Sequence, residues 1–347
     1  VYIRGSYRLK RATNLPMSDN SRRSTATTSF VAMLLLVSGA VFMMLYGSVV
    51  FDWIRAMQFS PSGEIASAEA RIVFTDRGKQ IFRATAPVIE DKEAFNQSCT
   101  STERTVAILG CYAGDNIYLY NIQNEELDGT LEVTAAHEML HAAYHRLNYF
   151  DRKRIDKLVG AEYDKIKDTP TISQLMQYYR EAEPGAELDE LHSIIGTTIA
   201  DLPMELEQYY DNYFTNRAGI VALNAKYSAV FGELSRQADV LQKQIDAEGP
   251  AIQREMAAYE TTLMQLNLDI QSFNSRAQGG GFRTQGEFST ARTALEQRVQ
   301  AMNTARDALN TRVATYNLMI KQLNNLAVHV NRLNESINGV DAPAGVN

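Results

Sequence analysis

Only two of the 347 residues are cysteine, one is tryptophan and eight are proline. Two cysteines are too few for a disulfide-dense scaffold or a zinc site built from thiolates. So little proline, with 45% apolar residues, excludes a collagen-like or disordered chain, and the length suits two or three structural units. Cations are also in short supply: 34 Lys and Arg face 41 Asp and Glu, for a net charge of −7. Six of those cations (Arg4, Arg8, Lys10, Arg11, Arg22 and Arg23) fall in residues 1–28 against Asp19 alone, so the remainder carries −12. A body this acidic excludes general binding to nucleic acid, which needs clustered Lys and Arg to neutralise phosphates.

Charge is missing altogether from Ser29 to Phe51, an apolar run of 23 residues. About 20 such residues cross a bilayer core as a helix, so 29–51 is expected to be a transmembrane segment. The cations precede the run and Asp52 follows it. The positive-inside rule therefore sets residues 1–28 as a basic cytoplasmic tail and everything after Trp53 outside. Tyr46 and Trp53 suit the outer boundary, where amphipathic rings are favoured. A cleaved signal peptide competes with this reading, but its apolar region is shorter, about 7–15 residues. The nearest small-residue cleavage pattern, Ala66-Ser67-Ala68, also lies well beyond the run. If translation starts at Met17, Arg22 and Arg23 keep the same orientation. An extracytoplasmic compartment favours a bond between Cys99 and Cys111 over two buried thiols.

The body, 52–220, is expected to be an α+β domain. Residues 70–75 and 80–84 look like the two strands of a hairpin around Asp76-Arg77-Gly78, and Val106–Tyr112 and Ile117–Ile122 read as further strands. Helices are expected over 132–147, 151–167, 173–181, 188–195 and 203–214. From 221 to 340 apolar residues recur in steps of three and four, as in Leu234, Ala238, Leu241 and Ile245, and again in Leu309, Val313, Tyr316, Ile320 and Leu323. That heptad rhythm predicts a coiled coil. The glycine-rich break near 276–286 folds it into an antiparallel hairpin, with a kink at Gly249-Pro250 and a short tail at 341–347. Two separate coiled-coil segments in an oligomer would show the same periodicity.

The chemistry concentrates in Thr134–Ala143, whose centre is His137-Glu138-Met139-Leu140-His141. On a helix, residues i and i+4 share a face, so both imidazoles can reach one metal ion. Glu138, one step further round, can take a proton from water held there. This segment resembles the zincin metallopeptidases. The resemblance implies a zinc ion on His137 and His141, Glu138 as general base and a peptide or protein substrate. The metzincin branch bends its chain with a glycine before a third histidine. Ala142-Ala143-Tyr144 holds no such glycine, and on a straight helix His145 lies about 12 Å from His137. His145 is therefore expected to be a supporting or surface residue. The gluzincin branch takes its third ligand from a glutamate on a later helix, which implies Glu190 in Asp189-Glu190-Leu191-His192-Ser193. His192 and then Glu187 are the other candidates for that ligand.

Ile194 stands where the gluzincin branch has an orienting carboxylate, so another group must fill that role. His192 is also a candidate donor to the oxyanion of the tetrahedral intermediate, with Tyr209, Tyr210 and Tyr213 as rivals or as a packed helix face. Asn116–Tyr120 is either an edge strand that receives an extended peptide or a core strand. Two functions stay open: a membrane-anchored extracytoplasmic zinc peptidase, or a non-catalytic envelope scaffold whose coiled coil binds a protein partner.

Overall fold

The computed structural model describes residues 20–99, 109–182 and 184–337, with side chains from 31 onward except at 42, 44–46 and 182. The basic tail as far as residue 19, the strand start at 106–108 and the closing 341–347 fall outside the described residues. Helix α1 (Asn20–Gln58) carries the apolar run and continues past it into the body. Among the described residues no helix is long and apolar enough to cross a membrane, but the 29–51 run lies partly outside the residues whose side chains are described. Most of the apolar side chains that are described along it stand exposed, Leu36 at 75%.

Two short helices follow where a strand hairpin is expected: α2 (Gly63–Ile72) and α3 (Asp76–Ala84). Each begins at a hydroxyl cap, Ser62 accepting from the Ile65 amide and Thr75 from the Gly78 amide. The Asp-Arg-Gly sequence is thus the first turn of α3 rather than a β-turn. Ile65, Ala68 and Ile72 supply a helical stripe that is wholly buried.

Among the described residues the sheet has three strands: β1 (Val88–Glu90), β2 (Gly110–Ala113) and β3 (Asn116–Tyr120), in the order β1-β3-β2. β3 pairs parallel with β1 and antiparallel with β2, matching Cys111 with Tyr118. β3 is therefore the central strand, and β2 holds the edge. Between β1 and β2 lies α4 (Lys92–Ser98), and Cys99 just after it is bonded to Cys111 on β2.

The remaining helices of the body are α5 (Thr130–His145), α6 (Tyr149–Ile166), α7 (Pro170–Ala182), α8 (Glu187–Thr198) and α9 (Met204–Tyr210). α5 runs through the centre, touching α2, α3, α8, β2 and β3. Its alanines at 135, 136, 142 and 143 are at most 1% exposed and let those neighbours come close. Gly196 of α8 meets it so tightly that a Cβ there would lie 2.5 Å from Leu140 Cδ1 and 2.7 Å from Tyr210 Cε1.

Helices α10 (Arg217–Gln278) and α11 (Gln285–Ile337) form the hairpin, with the chain turning through residues 279–284. They run antiparallel, since Arg298 pairs with Asp269 and Arg312 with Glu248 and Glu255. The kink expected at Gly249-Pro250 does not interrupt α10, which holds Pro250 in its interior. At the tip Phe273, Phe282 and Phe288 pack ring against ring, and the Arg276 guanidinium covers Phe282 at 4.3 Å.

At its root the hairpin grips the body twice. Arg217, 4% exposed, pairs with Glu207 at 2.9 Å and donates to the carbonyls of Ile199 and Ala200 just past the end of α8. Leu234, Leu333 and Ile337 bury Leu127 of the 3-10 turn Glu125–Leu127, while His329 meets Glu126 at 2.8 Å.

Candidate metal centre

The centre lies where α5 faces the first turn of α8. α8 opens with Glu187, Asp189 and Glu190, acids that favour the positive end of a helix. α8 packs closely along α5, with Gly196 of its last turn against Leu140. His137 and His141, one turn apart on α5, point their Nε2 atoms at one place, 3.1 Å from each other. Glu190 completes the group, Oε1 at 3.6 Å from His141 Nε2 and Oε2 at 3.7 Å from His137 Nε2. The candidate ligand atoms of the three all fall within 4.8 Å of one another.

Two features of this cluster fit a cation. Glu190 Oε2 is buried and has no hydrogen-bond partner. A tetrahedral zinc with bonds of about 2.0 Å sets neighbouring ligand atoms about 3.3 Å apart, close to the spacings seen here. Three protein ligands also leave a fourth position open. The donor set, two imidazoles and one carboxylate, is one that zinc accepts.

Asp189 is the residue that sequence reasoning missed. Its Oδ1 accepts from His141 Nδ1 and its Oδ2 from His145 Nε2, both at 2.8 Å. A carboxylate only accepts, so His141 carries a proton on Nδ1 and turns Nε2, the nitrogen left to a metal, towards the cluster. Asp189 thus supplies the orienting carboxylate that Ile194 does not. The one signal for it was its place beside Glu190. His145, 55% exposed, supports Asp189 rather than joining the cluster. Glu187 turns aside to accept from the Gly185 amide at 2.9 Å.

The electrostatics couple the buried acids to the histidines. Burial opposes the charge on Asp189, but the hydrogen bonds from His141 and His145 hold its carboxyl well below the usual range. Burial likewise works against Glu190, and His141 and His137 outweigh it, leaving a net lowering. Burial also disfavours protonated His141, yet Glu190 and Asp189 lift its pKa to about 10. Burial pushes the Glu138 carboxyl up against the pull of both histidines, which suits a group that must take up a proton.

Glu138 is 6% exposed and held by β2: a Cβ on Gly110 would lie 2.9 Å from its Cγ and 2.6 Å from Thr134 Cγ2. It lines a cavity of about 650 Å³ together with the three candidate ligands. Edge strand β2 forms one wall with Cys111, Tyr112 and Ala113, and Tyr144, Arg152 and Tyr179 form another.

His192 does not reach this cavity. It is 0% exposed, its Nε2 meets the Tyr209 hydroxyl at 2.8 Å, and Tyr210 donates to its carbonyl. Neither the oxyanion role nor a ligand role fits it there. Tyr209, Tyr210 and Tyr213 are buried beside it as a packed helix face. No known protein family, curated protein or solved structure matches the chain.

Proposed function

We propose that the chain is a membrane-anchored, extracytoplasmic zinc-dependent peptidase. The observation that carries this reading is the meeting of His137 Nε2, His141 Nε2 and the Glu190 carboxylate beside a buried Glu138, at the wall of an open cavity. His137, His141 and Glu190 would hold the zinc. When bound, zinc lowers the pKa of a coordinated water towards neutrality and polarises a carbonyl oxygen.

The chain's own residues do the rest. Glu138, its proton affinity raised by burial, takes the proton of the attacking water and returns it to the departing amine. Asp189 fixes the tautomer of His141. Among the described residues no strand pairs with the outer side of β2, which lies along the cavity, so an extended peptide can add to it as a further strand. The anchor is supported by the uncharged run on α1 and its exposed apolar side chains, and an oxidising compartment suits the Cys99–Cys111 bond.

Glu138→Gln tests the reading. The variant is expected to bind one zinc like the parent and to lose hydrolysis of a generic peptide substrate. Equal activity in the two proteins would end it. The hairpin favours a second role in the same chain, because apolar residues such as Met264, Leu268 and Val328 are more than half exposed. If the purified full chain stays metal-free in excess zinc, a non-catalytic envelope scaffold that binds a protein partner through the hairpin is what remains.

A further inference from the structure

Among the described residues Arg152 is the one Lys or Arg on the wall of a cavity whose other ionisable groups include Glu138, Asp189, Glu190 and histidines. It stands in the first turn of α6, the end of a helix where a positive charge is disfavoured, so helix stability does not account for it. Among the described residues it forms no ion pair. Its Nη2 donates to the Tyr144 carbonyl at 2.9 Å, its guanidinium lies 4.7 Å over the Tyr144 ring, and its Nε is buried with no hydrogen-bond partner.

Two acids of its own helix have other partners. Asp151 accepts from Asn148, and Asp156 accepts from the Tyr144 hydroxyl. A buried guanidinium Nε without an acceptor is costly to maintain, and a carboxylate is a partner that can accept from a guanidinium with both oxygens. The ring beneath fixes the plane of the group, so the fork is set before anything arrives.

We propose that Arg152 is a specificity-determining residue that receives a carboxylate of the peptide substrate. The proposal rests on the peptidase reading and narrows it to acidic peptides. The carboxylate can come from an Asp or Glu side chain or from a free C-terminus, and the two sources are separable.

The test measures binding to the full-length, zinc-loaded Glu138→Gln protein, so it needs no turnover. The probes are three versions of one fluorescent peptide: a free-acid C-terminus, a C-terminal amide, and the amide with a single Glu in place of Gln. At least one carboxylate-bearing probe is expected to bind ten-fold or more tighter than the plain amide. Arg152→Met should bring that probe down to the level of the amide, and Arg152→Lys should keep part of the preference.

A preference confined to the free acid identifies the C-terminus, and one confined to the Glu peptide identifies a side chain. Equal binding of all three probes, no binding of any, or a preference that survives in Arg152→Met overturns the assignment. The peptidase reading fails separately, if the parent protein with Glu138 intact binds these peptides and never cleaves them.

Discussion

Asp52 and Arg146, 94 residues apart, form an ion pair with two hydrogen bonds, Nε to Oδ2 at 2.7 Å and Nη2 to Oδ1 at 2.9 Å. Asp52 is the first residue after the apolar run, and Arg146 caps the helix that carries His137 and His141. The same guanidinium donates to the Tyr112 hydroxyl on the cavity wall at 3.2 Å. A single side chain thus joins α1, the site helix and the edge strand.

Arg146→Gln is expected to cost about 2 kcal/mol, since it removes charge-assisted bonds at a mostly buried position. Thermal unfolding should show a Tm lower by about 4–8 °C. In a double-mutant cycle with Asp52→Asn the two changes should fall well short of additive. Additive losses would mean that the pair contributes nothing.

Asp189→Asn should weaken zinc binding about 10–100-fold while leaving the protein folded, because an amide no longer fixes the tautomer of His141 or opposes its charge. Competition with a chelator measures this. His145→Ala, which leaves the bond between His141 and Asp189 in place, should have a smaller effect. An unchanged affinity in Asp189→Asn would remove Asp189 from the site.

Gly110→Ala puts a methyl group against Glu138 and Thr134. Glu138 must move, so on the peptidase reading kcat is expected to fall at least ten-fold with zinc content unchanged. Overpacking of this kind costs about 1–3 kcal/mol of stability. A variant that matched the parent in kcat would show that β2 does not position Glu138.

His192 provides the pH test. Burial holds its pKa down at about 3, against an ordinary value of 6.5. Folding therefore favours the neutral ring. The stability it contributes is fully present above pH 6.5 and is lost as pH falls from there towards 3, because the unfolded chain takes up a proton that the folded one refuses. Urea unfolding across this window should show a slope of about 1.4 kcal/mol per pH unit from this group. In His192→Leu that part of the slope should disappear; an unaltered slope would show that another group sets the acid limit.

The spacing of His137, Glu138 and His141 was legible because one helical turn is a purely local matter. Glu190 needed the resemblance to a family, since 49 residues separate it from His141 and only the contact between α5 and α8 brings the two together. Asp189 escaped notice because an acid beside an acid looks like solvated surface. Residues 70–84 were misread because their β-branched and aromatic residues favour strands locally, whereas burial of Ile65, Ala68, Ile72 and Phe82 against α5 selects helices. Periodicity together with the glycine-rich break near 276–286 pointed to the hairpin, whose contacts repeat turn after turn. It could not show that β3 is central, because strand order is a long-range property.

The root of the hairpin gives it mechanical leverage over the site. α10 spans about 90 Å from Arg217 to the aromatic tip. Its base clasps both the end of the helix that presents Glu190 and the 3-10 turn that leads into the helix of His137. A sideways load on the far end would act as a torque on these two supports at once. Small rotations there would open or close the gap between the two imidazoles and the carboxylate facing them.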